Sequence, residues 1–172
     1  MMDRSLRIKY FLYKHTGMFL LFFSILNSFD LNDLGYKYFS FSFSYILIFY
    51  FNLKRKEGLG YIPIFIAGLF NDVIIGTPMG ISSLIYLMIC GAAAYLRNIT
   101  LRPHLVKDWI FFLVTLLILN SISFFILNFI FSYEVSTYEQ LADIFFTWLF
   151  YLIFSYIFDF YGRLILGRQY VK

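Results

Sequence analysis

Residues 68–80 read GLFNDVIIGTPMG. Asp72 sits inside an apolar stretch that opens at Ile62, and Gly76, Thr77, Pro78 and Gly80 follow it closely. The apolar run Tyr61–Ile75, taken as an α-helix, rises roughly 22 Å at 1.5 Å per residue. A bilayer's hydrocarbon core is roughly 30 Å thick. Such a helix is too short to cross unaided and is expected to end in a pocket of protein or thinned bilayer. Gly76 permits a positive φ and ends the helix. Thr77 can cap the next helix, Pro78 suits its first turn, and Gly80 leaves room for close backbone contact. The stretch therefore predicts a hairpin turn between two helices at the outer membrane boundary. Asp72 is placed to accept hydrogen bonds from the free amides that open the second helix, where the dipole favours an anion. A charged Asp at mid-bilayer costs roughly 2.5–3.5 kcal/mol on insertion scales, and intramembrane acids often serve function. Turn-fixing and the binding of a partner or ligand are compatible roles for it.

The rest of the chain agrees with a lipid environment. Hydrophobic residues make up 61% of the 172 and charged residues 14%, against roughly 45–50% and 25% in soluble domains. A soluble domain of this size could not hide that much apolar surface. The formal charge of +4 is no sign of nucleic-acid binding, because the basic residues fall in clusters between apolar runs. Cys90 is the only cysteine, so neither an intramolecular disulfide nor a Cys-based metal site can be built.

Six apolar runs are expected as helices, at about 16–29, 38–53, 61–75, 79–96, 109–131 and 141–161. The first follows Arg4, Arg7, Lys9 and Lys14 and has the outline of a signal peptide, but Asn27, Ser28, Phe29 and Asp30 make no cleavage site. The second begins FSFSFS; that alternation suits a strand in water, but an open strand in lipid leaves backbone groups unpaired, so a helix is expected. With the N-terminus inside and the sides alternating, only Lys37 of the 14 Lys and Arg falls outside. This asymmetry predicts a single all-α membrane domain over 1–172, a six-transmembrane-helix bundle with both termini inside. Ser136 with Glu139, or Thr137 with Gln140, makes a capping box for helix six, and Glu139 and Asp143 suit its dipole. Asp159 and Arg163 have the spacing of an ion pair on one helix face. Trp109 is expected at the inner interface.

Polar residues within the spans are few. Asn120 and Ser123 share a face of helix five, with Ser121 and Asn128 on another; Ser24, Asn27 and Ser28 form a polar face on helix one. Hydrogen bonding between helices explains such groups without a ligand. The small residues of CGAAA, 90–94, allow close helix approach. The inner link RNITLRPHLVKD, 97–108, has Pro103 at a plausible helix start and reads as an orienting loop. A triad drawn from Ser82 or Ser83, His104 and Asp72 fails, since the topology puts His104 inside and Asp72 near the outer face. No acid pair, His cluster or phosphate-binding glycine loop is present. Neither an enzyme, a metal nor a cofactor is expected.

The pattern G-L-x-x-D-x-x-x-G-x-P-x-G, carried by Gly68, Leu69, Asp72, Gly76, Pro78 and Gly80, resembles the signature of the MreD family of bacterial rod shape-determining proteins. Met79 stands where that family often has Leu. Length, six spans and basic links after spans two and four extend the resemblance over the chain. It implies a multi-pass protein of the bacterial inner (cytoplasmic) membrane, a non-catalytic scaffold of the cell-wall elongation machinery. The implied partners are membrane lipid and MreC, and indirectly MreB, RodA and a class B penicillin-binding protein. No nucleic acid and no small-molecule substrate is implied. The alternative is a substrate-binding subunit of an energy-coupling-factor vitamin transporter, similar in size and helix number and expected to be related in fold. Those subunits often carry an Ala-x-x-x-Ala face in helix one, whereas 16–29 contains no Ala. A polar, outward-opening pocket would weigh for transport; Asn120 is the nearest candidate lining residue.

The orientation can be tested by cysteine labelling in intact cells, in a Cys90→Ser background. A membrane-impermeant maleimide is expected to label Lys37→Cys and to leave Lys107→Cys unlabelled until the cells are opened.

Overall fold

The computed structural model describes residues 4–26, 41–54, 58–100, 104–132 and 137–166. They form six α-helices: α1 (Arg4–Leu26), α2 (Phe43–Lys54), α3 (Tyr61–Ile75), α4 (Ile81–Ile99), α5 (Leu105–Phe125) and α6 (Thr137–Leu166). A π-helical segment, Ile126–Ile130, continues α5. No strand occurs among the described residues. α4, α5 with its π segment, and α6 over Thr137–Leu164 are long and apolar enough to cross a membrane. The apolar part of α1 (His15–Leu26) and α3 are shorter apolar helices.

α3 has the span that the sequence predicts. Elsewhere the ends differ. α1 starts at Arg4 rather than near Thr16, because charged residues lower hydropathy without breaking a helix. α2 starts at Phe43, with Phe41 and Ser42 of FSFSFS outside the helix. α4 starts at Ile81 rather than Met79, because Gly80 takes the left-handed conformation just before it. α6 opens at Thr137, so its cap position falls on residue 136, outside the described residues along with Pro103, Asn27 and Ser28.

α2 is the centre of the molecule. Every residue from Ile46 to Leu53 is buried, and a helix apolar all round belongs in a core. α1, α4 and α6 pack around it. Aromatic rings fill the space between: Phe49 lies 4.8 Å from Phe112 of α5 and 5.7 Å from Tyr151 of α6, centroid to centroid, and Tyr50 lies 5.1 Å from Phe158. Trp109 stacks on Trp148 at 4.2 Å with the planes 4° apart. Each indole N–H of that pair donates to the other residue's carbonyl, at 3.0 and 3.3 Å. α5 and α6 are thereby tied by paired polar groups inside an apolar contact, where unpaired ones would be costly.

The outer surface is apolar. Ile62, Phe70 and Val73 on α3, Ile110 and Ile118 on α5, and Phe145, Ile153 and Leu164 on α6 are all exposed. Apolar patches of this extent are not tolerated in water and mark a surface for lipid. These features are those of an all-helical membrane protein.

α3 and α4 form the closest helix pair. A β-carbon added to Gly68 would lie 2.5 Å from the Ser83 backbone nitrogen. The hydroxyl of Ser83 donates to the Phe65 carbonyl at 2.9 Å, locking the register. CGAAA behaves differently along its length. Cys90 and Ala93 are buried in the bundle, but Gly91 is exposed, and a β-carbon added there would meet nothing within 4 Å. Gly68→Ala is therefore expected to cost about 1–3 kcal/mol by overpacking. Gly91→Ala should be neutral or stabilising by up to about 1 kcal/mol, since Ala is the better helix former. Thermal unfolding of both variants in detergent checks the contrast.

Candidate functional site

The α3–α4 turn is built around one carboxylate. Asp72 is fully buried, at 0% exposure. Its Oδ1 accepts from the Thr77 hydroxyl at 2.9 Å and from the Ser82 backbone N–H at 2.9 Å. Its Oδ2 accepts from the Gly80 N–H at 2.7 Å. Its own carbonyl accepts from the Gly76 and Thr77 N–H groups, at 2.9 and 3.1 Å. The side chain thus caps the helix that follows, and its main chain closes the helix it belongs to. Free amides and the positive end of the α4 dipole favour an anion there.

The other motif residues take roles that the turn demands. Gly76 is the left-handed C-cap of α3, at φ 79°. Three expectations need correction. Thr77 does not cap α4; its hydroxyl is a donor to Asp72, because the carboxylate already occupies the capping position. Pro78 lies before the first turn of α4 rather than in it, and its carbonyl accepts from the Ile81 N–H at 3.4 Å. Gly80 is required for conformation and not for space: its φ is 101°, and nothing lies within 4 Å of an added β-carbon. Close approach belongs to Gly68. Leu69 is half-buried beside it.

Beside this turn, a cavity of about 530 Å³ opens between the helices. Polar residues from all six helices line it, among them Ser24, Ser44, Asn71, Ser82, Asn120 and Gln140, with no charged side chain among the described lining residues. Ser24 and Ser44 join α1 to α2 by a hydroxyl contact of 2.7 Å. The Asn71 amide reaches the Ser82 hydroxyl at 3.0 Å. Ser42, just before α2, donates to the Asp143 carboxylate of α6 at 2.9 Å, and its N–H donates to Thr147 Oγ1 at 2.8 Å. Asn120 does not bond to another helix, as expected of it; its amide donates to the Leu116 carbonyl of its own helix at 3.0 Å. It does line the cavity, together with Ser123. Ser121 and Asn128 are exposed elsewhere. Asn27 lies outside the described residues. Sequence reasoning reached Asn120 and Ser123 through their helical spacing but missed Ser42, Tyr45 and Gln140, which join them only in three dimensions.

Polar groups also gather at the far end of α4. Arg97 donates to the Asn52 carbonyl at 2.7 Å, satisfying a C-terminal group of α2. The Asp159 carboxylate accepts from the Tyr50 hydroxyl at 2.6 Å and lies 3.8 Å from the Lys54 ammonium. Arg163, expected to pair with that carboxylate, donates instead to the Asp159 carbonyl at 3.3 Å. Lys54 and Tyr50 reach the carboxylate from α2, a contact no single-helix spacing reveals. Asp72 and His104 flank opposite ends of α4, a helix of roughly 28 Å, too far apart to act together. No group of three or more His, Cys, Asp or Glu among the described residues could hold a metal ion.

No family model, curated protein or solved structure matches the chain.

Asp72→Ala would leave the Thr77 hydroxyl and the Gly80 and Ser82 amides without their acceptor. The expected destabilisation is about 2 kcal/mol or more. Asp72→Asn keeps one acceptor oxygen and the shape, so it should lose less. Unfolding midpoints of the two variants in the same detergent test that order.

Proposed function

We propose that this protein is a non-catalytic membrane scaffold of the bacterial cell-wall elongation machinery, maintaining rod cell shape by holding an MreC-type partner. The observation that carries the reading is the Asp72-centred turn. Gly68, Asp72, Gly76 and Gly80, all in the pattern that resembles the MreD signature, each have a defined physical role in one rigid hairpin. The buried Asp72 supports its partner surface from within, while Val73, Ile75 and Met79 are exposed on and beside the turn. In the proposed orientation, with six spans and both termini inside, this tip faces outward. The far end of α4, with Arg97, then faces the cytoplasm, as the positive-inside rule requires. The indirect partners would be MreB, RodA and a class B penicillin-binding protein, and the location the bacterial inner membrane. Binding would use the apolar helix faces and short loops, and action would be by assembly.

A second reading, the substrate-binding subunit of a small-molecule transporter, is favoured by the polar cavity, which adjoins the Asp72 turn and on this orientation lies toward the outer side. Against it, the described α1 carries no Ala and hence no Ala-x-x-x-Ala face.

A mild-detergent pull-down of the tagged protein from native membranes separates them. The scaffold reading expects MreC and the wall synthases, with recovery reduced in Asp72→Asn at unchanged protein level. Recovery of paired ATPases with a transport subunit would establish the second reading instead.

A further inference from the structure

The cavity beside the Asp72 turn has a definite hydrogen-bonding character. The hydroxyl protons of Ser42 and Thr77 are committed to the carboxylates of Asp143 and Asp72. A carboxylate only accepts, so each hydroxyl is left offering lone pairs to the cavity. One amide hydrogen of Asn120 is bound to the Leu116 carbonyl, and its Oδ1 has no protein partner among the described residues. The Tyr45 and Ser123 hydroxyls, which also line the space, make no hydrogen bond among those residues either. These groups face an open, polar-lined space within an apolar bundle, where water or a ligand can meet them.

Charge narrows the choice. No Lys, Arg or His is found among the described lining residues, and two carboxylates stand directly behind the wall. An anion there would meet like charge, with no cation among the described lining residues to offset it. The apolar part of the lining, including Ile25, Ile85 and Leu127, offers contact to the body of an organic molecule. The volume of about 530 Å³ lies within the range of roughly 300–1,000 Å³ typical of small-molecule sites. An independent feature adjoins it. Leu127 belongs to the π-helical segment that continues α5, and such segments are rare and frequent at functional sites.

We propose that this cavity binds a small, neutral or cationic organic molecule rich in N–H and O–H donors, through Ser42, Thr77 and Asn120. The site goes beyond the scaffold reading and stands on the cavity alone. A scaffold and a transport subunit could both use it, so the titration below and the pull-down above can fail independently.

Three hexose-sized probes differing mainly in charge test the site: glucosamine (cationic), glucose (neutral) and glucuronate (anionic). Each is titrated into the intact protein in lipid nanodiscs and followed by ligand-observed saturation-transfer NMR. Glucosamine and glucose are expected to bind, and glucuronate at least tenfold more weakly than glucosamine. Asn120→Leu and Ser42→Ala should each weaken glucosamine binding at least tenfold. Ser121→Ala, on an exposed face outside the cavity, should bind as the unaltered protein does. Circular dichroism of every variant establishes that it is folded before titration. Absence of binding by all three probes overturns the proposal. So does equal binding of glucuronate, or binding that folded Asn120→Leu retains.

Discussion

The carboxylate of Asp72 accepts three hydrogen bonds in a site closed to solvent, and much of this end of the bundle follows from them. An acid in an apolar helix is tolerable only when both its oxygens are hydrogen-bonded and the local field is favourable. Here both conditions come from the start of α4, whose free amides and dipole point at the carboxylate. To reach them the chain must reverse within a few residues. That reversal needs left-handed backbone at Gly76 and Gly80, which glycine adopts without penalty. With the turn closed, α3 and α4 lie so near that only glycine fits at position 68 against Ser83. One acid thus accounts for three glycines.

The same hairpin forms a wall of the polar cavity. Thr77 and Ser82, both bonded to Asp72, also face that space. The turn therefore both closes the α3–α4 hairpin and shapes the cavity wall. A carboxylate with no direct exposure still sets the chemistry of the lining, since it takes the hydroxyl proton of Thr77 and leaves its lone pairs facing inward. Asp143 does the same for Ser42 from α6. The apolar core follows different rules. There α2, buried on every side, is held by ring contacts from α5 and α6, while the outer faces of those helices stay apolar for lipid. Within that apolar contact some polar groups pair internally, as in the Trp109–Trp148 couple.

Composition and period alone determined the helical class and the lipid solvent, because lipid leaves few ways to satisfy a backbone. The span of α3, the end of that helix at Gly76 and the place of Asp72 near the start of α4 were equally legible, for these are local in the chain. Helix ends marked by hydropathy were less so. Hydropathy reports what surrounds a residue, and α1 and α6 continue as helices into polar sequence where caps and backbone bonds, not apolarity, decide. Tertiary structure alone decided that Asp159 bonds Tyr50 and Lys54 rather than Arg163, and that Asn120 turns back to its own helix. It alone brought Ser42, Tyr45, Thr77, Asn120 and Gln140 around one space. The physical reason is distance along the chain. A cap or a turn is written within ten residues, but a cavity is the space left when six helices find their packing, and no local pattern records it.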